Sequence, residues 1–129
     1  MSSRSDAASR QTKAMLAHLA TFPHATAIPM PAPKGRDTGV TLYKIMNKMF
    51  AIVSTRGEPF VILKCDPAQV PLLKAQYQAI GHRSHLDPRF WICVMLDADV
   101  PTKTLKQLVD HSYTQVVATL TRKQQATLQ

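Results

Sequence analysis

Three β-rich segments joined by two short turns, in the middle of the chain, most constrain its fold. The segments cover residues 40–46, 49–55 and 60–65. The first turn, Asn47-Lys48, is typical of a tight hairpin, and residues 56–59 form the second. Strands joined by turns this short pair with their neighbours in opposite directions. The sequence therefore predicts an antiparallel meander.

Helical patterns and further strand patterns flank this meander. The predicted helices cover 9–22, 66–77 and 102–120, a short strand lies near 25–29, and a second hairpin pairs 80–85 with 89–96. Asp66-Pro67 is a typical helix start, although Pro71 should weaken or shift it. The order predicts an α+β fold, in which an antiparallel sheet of about five strands packs against helices.

The longest predicted helix has an apolar stripe that should face the sheet. Its inward positions are Leu105, Leu108, Val109, Ser112, Val116, Val117 and Leu120. At position 112 a small residue would let the helix and the sheet approach closely. With 129 residues the chain has the size of one domain, which we place at 8–129 after a flexible N-terminus at 1–7.

The apolar runs and the cysteines indicate a reducing compartment. Cys65 and Cys93 each lie inside an apolar run, which is typical of buried free thiols. The N-terminus lacks the apolar segment of a secretory signal, and no apolar run approaches the roughly 20 residues of a membrane span. We expect a cytoplasmic protein that does not bind membranes.

The charge balance favours acidic partners. Sixteen Lys and Arg against eight Asp and Glu give a formal net charge of +8. Such an excess suits nucleic acid or another polyanion, although a basic surface can also serve solubility alone.

The chain offers no pattern that predicts catalysis, a metal or a cofactor. His82 and His85 are three apart, which on a strand puts them on opposite faces. His111 and Ser112 are adjacent on a helix, so they point about 100° apart and cannot act as a base and its nucleophile. We predict a protein that is not an enzyme.

Basic residues near the predicted hairpins are the positive functional signal. The candidate nucleic-acid-binding residues are Lys34, Arg36, Lys44, Lys48, Arg83, Arg89 and Trp91. Two residues along a strand return to the same face, so Arg89 and Trp91 should be neighbours that pair with phosphate and stack on a base. The alternative is that Trp91 belongs to the core and is covered by the aliphatic part of Arg89.

Several stretches together resemble the MmcQ/YjbR family. They are residues 44–53, 63–67, 89–91, 96–101 and 110–117, within a match that runs from about 22 to 123. The resemblance implies a fold like that of CyaY, the bacterial frataxin, and a DNA-binding role through a "double wing" of two protruding hairpins. Frataxins present an acidic ridge for iron, whereas the first helix here has only Asp6, so an iron role is not predicted.

These observations lead to two hypotheses. The first is a non-catalytic binding domain that contacts nucleic acid, with DNA as the expected partner, through phosphates and with little sequence specificity. The alternative is a module that binds a protein or a small ligand in a cleft between the sheet and the helices. A continuous basic face would favour the first, and an ordered apolar groove near Trp91 with no continuous basic face would favour the second.

Overall fold

A computed structural model describes residues 2–31 and 37–128, with side chains for 10–31 and 38–128. Helices and strands alternate along this part of the chain. In order they are α1 Ser2–Leu19, β1 Ala25–Pro31, β2 Asp37–Ile45, β3 Lys48–Ser54, β4 Phe60–Lys64, α2 Val70–Gln76, β5 Ile80–Gly81, β6 Trp91–Met95, α3 Thr102–Val117 and α4 Arg122–Ala126.

The strands form one sheet in the order β1-β2-β3-β4-β6-β5, and every neighbouring pair is antiparallel. The predicted α+β class, the antiparallel sheet and the central meander are confirmed. Six strands take part in the described structure, where about five were predicted. Strand β6 lies between β4 and β5, so the last strand in sequence is not at the edge of the sheet.

The first hairpin closes one residue earlier than the sequence pattern suggested. Ile45 pairs with Lys48, and the two residues between them, Met46 and Asn47, have φ angles of +50° and +66°. Two successive positive φ angles are typical of the type I′ turn, whose twist matches that of the flanking strands. Lys48 therefore begins β3 instead of forming the turn.

The second hairpin is much shorter than predicted. Strand β5 has only two residues, and 82–90 form bends and a turn before β6 begins at Trp91. The Asp87 carboxylate accepts a hydrogen bond from the Arg89 amide at 2.9 Å. The backbone carbonyl of Asp87 accepts hydrogen bonds from the Phe90 and Trp91 amides. These local bonds replace a strand ladder, and Pro88 has no amide to give to one.

The helix bounds differ from the predicted ones at positions set by local hydrogen bonding. Helix α1 begins at Ser2 and ends at Leu19, earlier than the predicted 9–22, while the flexibility expected of residues 1–7 stays a prediction. Helix α2 begins at Val70, so Pro71 occupies its first turn, where a missing amide breaks no helical bond. Asp66 instead accepts the Ala68 amide at 2.9 Å in the preceding turn.

Helices α1, α2 and α3 contribute apolar side chains to one core on one face of the sheet, whereas α4 has no buried residue. Helix α3 presents its predicted stripe: Leu105, Leu108, Val109, Ser112 and Val116 are buried, and Val117 is half-buried against the core. Helix α1 adds Met15 and Leu19, and α2 adds Val70. None of the described helices is long and apolar enough to cross a membrane.

Ser112 joins this helical layer to the sheet. It is 0% exposed, and its hydroxyl donates a hydrogen bond to the Phe50 carbonyl at 2.5 Å and accepts one from the Lys64 amide at 2.9 Å. Phe50 and Lys64 lie where the β3–β4 pairing ends, beyond the pair Ala51 and Leu63. The hydroxyl thus satisfies two backbone groups that the ladder leaves without a partner.

We predict that Ser112→Ala lowers the free energy of unfolding by about 1–3 kcal/mol, because it leaves the Phe50 carbonyl and the Lys64 amide without this hydrogen-bond partner. The measurement is urea denaturation followed by circular dichroism. Thr114→Ala, at an exposed position of α3, is the matched control and should change stability by less than about 0.5 kcal/mol. Equal, small effects of the two substitutions would contradict the role of Ser112.

Candidate nucleic-acid interface

Residues of the central strands alternate between the core and the opposite face of the sheet. Ala51 pairs with Leu63 and both belong to the core, whereas the next pair, Ile52 and Ile62, lies outside the core cluster. Paired residues share a face, and successive residues point to opposite faces. We call the second face the open face; it comprises Val40, Leu42, Lys44, Ile52, Ser54, Phe60, Ile62, Lys64, Trp91, Cys93 and Met95.

The open face is only partly accessible even though the described helices pack on the other side. Ile62 and Cys93, in its middle, are 5% and 3% exposed, and most of the remaining members are half-buried. Neighbouring side chains therefore shield the centre of this face. The result is a continuous, mostly apolar surface with polar groups at its margins.

Lys64 and Trp91 lie side by side at one end of the open face. They are directly paired across β4 and β6, which places their Cβ atoms about 4.5–5.5 Å apart. Both are half-buried, and Trp91 is not a member of the core cluster. The alternative that assigned Trp91 to the core is therefore not favoured, and Trp91 is a partly accessible residue paired with a lysine.

Arg83 lies at the other end of the open face. Its guanidinium carbon is 5.2 Å from the centre of the Phe60 ring, and its Nη1 lies 3.5 Å from Met95 Sδ, to which it donates. The cation–π contact orients this exposed side chain without neutralising its charge. Arg83 thus retains donors for an anionic ligand.

The described charged residues assigned to the open face are all basic. Lys44 follows Leu42 by two residues on β2 and shares its face, so it adds a third cation to Lys64 and Arg83. Strands β3, β4, β5 and β6 contain no Asp or Glu. These strands therefore offer no carboxylate to repel an anion.

The guanidinium of Arg89 forms an ion pair with the nearby Asp87. Its Nε and Nη2 lie 3.1 and 2.8 Å from the two carboxylate oxygens of Asp87, and these hydrogen bonds lower the pKa of Asp87 to about 2. Its guanidinium also lies 5.3 Å from the centre of the Phe90 ring. The expectation that Arg89 and Trp91 share a strand face is wrong, because 88–90 form a turn.

Lys48 also has a structural partner. Its Nζ lies 3.3 Å from both the carbonyl oxygen and the hydroxyl of Thr119, just beyond the C-terminal end of α3, where a cation is favourable. Lys34 and Arg36 lie outside the described residues. Of the predicted residues, the structure brings Lys44, Arg83 and Trp91 to one face.

Lys64 was missed by the sequence analysis, which placed it inside an apolar run. The signal was available: Phe60, Ile62 and Lys64 follow a period of two, and a lysine at the end of such a series points to the same face as the others. The sequence alone does not show that this face is the one the described helices leave uncovered, so the role of Lys64 could not be assigned from the pattern.

A separate cleft lies between α2 and α3. It has a volume of about 300 Å³ and is lined by Cys65, Gln69, Leu73, Thr104, Gln107, Leu108 and His111. The Asp66 amide donates to His111 Nε2 at 3.2 Å, so the neutral ring carries its hydrogen on Nδ1. In the parts of the chain with described placement, no three His, Cys, Asp or Glu residues are grouped to hold a metal ion.

Cys65 and Cys93 are buried free thiols, as predicted, and burial raises the pKa of each to about 11. Since the thiolate is the reactive form, we expect native protein at pH 8 to react with an Ellman-type reagent at least tenfold more slowly than unfolded protein. The native rate should rise as the pH approaches 11. Equal rates in the native and unfolded states, or a Cys65–Cys93 disulfide, would contradict this prediction.

Comparisons with known proteins agree on one family. A protein-family model described as YjbR matches residues 20–115. The uncharacterized protein YbdF of Escherichia coli O157:H7 is 32% identical over 85 residues, which are 65% of this chain and 70% of YbdF.

Two solved structures share the architecture. The crystal structure of Deinococcus radiodurans protein DR2400, with a DUF419 domain, has a TM-score of 0.74 and 26% identity, and the match covers 88% of this chain and 84% of that one. A Pseudomonas syringae protein has a TM-score of 0.64 at 16% identity, over 80% of this chain and 96% of that one, which supports the fold alone. Since the family model spans most of the sequence and the fold agrees, the chain belongs to the YjbR family.

Proposed function

We propose that this protein is a binding domain that contacts nucleic acid through the open face, mainly at phosphates and with little sequence specificity. The observation that carries the proposal is the pairing of Lys64 with Trp91 on a sheet face that no described helix covers. Lys44 and Arg83 add charge on the same face, so cations border the apolar surface near Trp91, and it is not an uncharged groove of the kind that would favour the alternative. A cationic surface beside an accessible aromatic ring suits a ligand that combines phosphates with bases.

The side chains of the open face also support low specificity. Reading base edges requires planar donors and acceptors placed to make bidentate bonds. Among the described open-face residues, the cations are two flexible lysines and an arginine held over a ring, and Ser54 is buried. Such groups recognise phosphate charge irrespective of sequence.

The proposal moves the contact surface from hairpin tips to the sheet. The tip at Met46 and Asn47 lies on strands that have partners on both sides, and Lys48 is bound to Thr119. A double-wing mode of DNA binding and a close likeness to CyaY stay predictions. We further propose a non-catalytic role in the cytoplasm, with which the two protonated, buried thiols are consistent.

We predict that binding falls linearly in log affinity with log salt, and that Lys64→Ala or Arg83→Ala each reduces that slope by about 0.7–0.9, the effect of one lost phosphate contact. The measurement is fluorescence anisotropy of a labelled oligonucleotide between about 50 and 200 mM salt. All sequences should be affected equally.

Two control substitutions remove the same charge elsewhere. Lys103→Ala changes an exposed residue of α3, on the helical side, and should leave the slope unchanged. Arg89→Ala removes a guanidinium that Asp87 already neutralises and should have a smaller effect than Arg83→Ala. If all four variants lose affinity equally, net charge is responsible and the open face is not the interface.

The cleft between α2 and α3 favours a second candidate function, binding of a small ligand. Its volume is at the lower end of the range for ligand sites, and its lining combines apolar side chains with neutral hydrogen-bonding groups. Uncharged polar compounds are the ligands that fit.

We predict that a fragment raising the melting temperature of the protein loses this effect in Gln107→Trp, which fills the cleft from an exposed position. A fragment that stabilises both forms equally binds elsewhere.

A further inference from the structure

We propose that the preferred ligand of the open face is single-stranded nucleic acid, with one base stacked on Trp91 and its phosphate held by Lys64. This inference rests on the proposed function and specifies its substrate class. It follows from the shape of the face, the position of its aromatic ring and the spacing of its charges.

The shape of the open face does not suit a duplex groove. An antiparallel sheet presents a broad pleated surface, and the described helices that could enter a major groove lie on its other side. The cations Lys44 and Lys64 lie near the ends of β2 and β4, which are not edge strands of the sheet. Flexible single-stranded nucleic acid can follow this surface, whereas a rigid duplex contacts it only along a narrow line.

The aromatic ring of Trp91 requires a partner with a free π-face. In a duplex the base faces are covered by their stacked neighbours, and only the edges reach the grooves. In a single strand the bases are free to stack on aromatic side chains, and each such contact contributes to affinity irrespective of base identity. Trp91 is half-buried with a cationic neighbour in register, so stacking and charge pairing can occur on one nucleotide.

The spacing of the charges sets the length of the ligand. Lys64 and Phe60 are four residues apart on β4, which corresponds to about 13 Å along the strand. Arg83 lies over the Phe60 ring, so the two cations mark opposite ends of the face. A single strand that contacts both cations must therefore reach about 13 Å, which requires more than one nucleotide.

The ring itself reports on binding, because Trp91 is the only tryptophan. The 129-residue protein is titrated with an eight-residue oligothymidylate, with a longer duplex of mixed sequence that stays paired at low salt, and with an abasic strand of the same charge as the oligothymidylate. We expect the single strand to quench Trp91 emission and to bind about tenfold more tightly than the duplex. The abasic strand should bind more weakly and without quenching.

Two variants at position 91 separate stacking from folding. With a labelled oligothymidylate, Trp91→Phe should lose a few-fold in affinity and Trp91→Ala about tenfold, while both bind the duplex as the unaltered protein does. Circular dichroism establishes whether each variant is folded. If Trp91→Ala does not fold, Trp91→Phe alone still tests stacking.

The outcomes distinguish this inference from the function on which it rests. Equal affinity for duplex and single strand without quenching would overturn the single-strand inference and leave phosphate binding by the open face intact. Quenching by the abasic strand equal to that by the oligothymidylate would overturn stacking in the same way. Absence of binding to every probe at about 50 mM salt would overturn both proposals.

Discussion

The hydroxyl of Ser112 is the contact on which the arrangement of this protein depends. From the buried face of α3 it binds the carbonyl of Phe50 on β3 and the amide of Lys64 on β4. A buried hydroxyl that satisfies two strands at once anchors the helix at one point over the sheet, and the buried apolar stripe of α3 packs along the rest of its length. The neighbouring His111 adds a second link, because its Nε2 accepts a hydrogen bond from the amide of Asp66. With α3 in place, α1 and α2 bury their apolar residues on the same side of the sheet.

The open face is the consequence of this one-sided packing. Strand alternation sends Ile52 and Ile62 away from the helices, and the surface they form is more apolar than an ordinary solvated sheet face. None of the described open-face residues is fully exposed, so the proposed site depends on the cations and on Trp91 at its margins and not on a large exposed apolar patch. The same Lys64 whose amide is bound by Ser112 carries its side chain to this face, so the core and the candidate site meet at one residue.

Cations with structural partners show why net charge alone is a poor guide to an interface. Arg89 is paired with Asp87, and Lys48 binds the carbonyl of Thr119 beyond the end of α3. Both belong to the +8 balance, yet each has a structural partner. Lys44, Lys64 and Arg83 lie together at the edge of an apolar sheet face, and the contacts of Arg83 with Phe60 and Met95 do not neutralise its charge. The proposed site is therefore defined by position in the sheet and not by the number of basic residues.

The amino-acid sequence by itself determined the meander and the buried stripe of α3, because both follow from local periodicity and from turn chemistry. It could not determine the second hairpin, where Asp87 uses its side chain and carbonyl for bonds that compete with a strand ladder. It also placed Arg89 beside Trp91 and left out Lys64. Only the tertiary structure decided which sheet face the helices cover. That choice depends on contacts between residues far apart in sequence, such as Ser112 with Phe50, and it made Lys64 the neighbour of Trp91 on an uncovered surface.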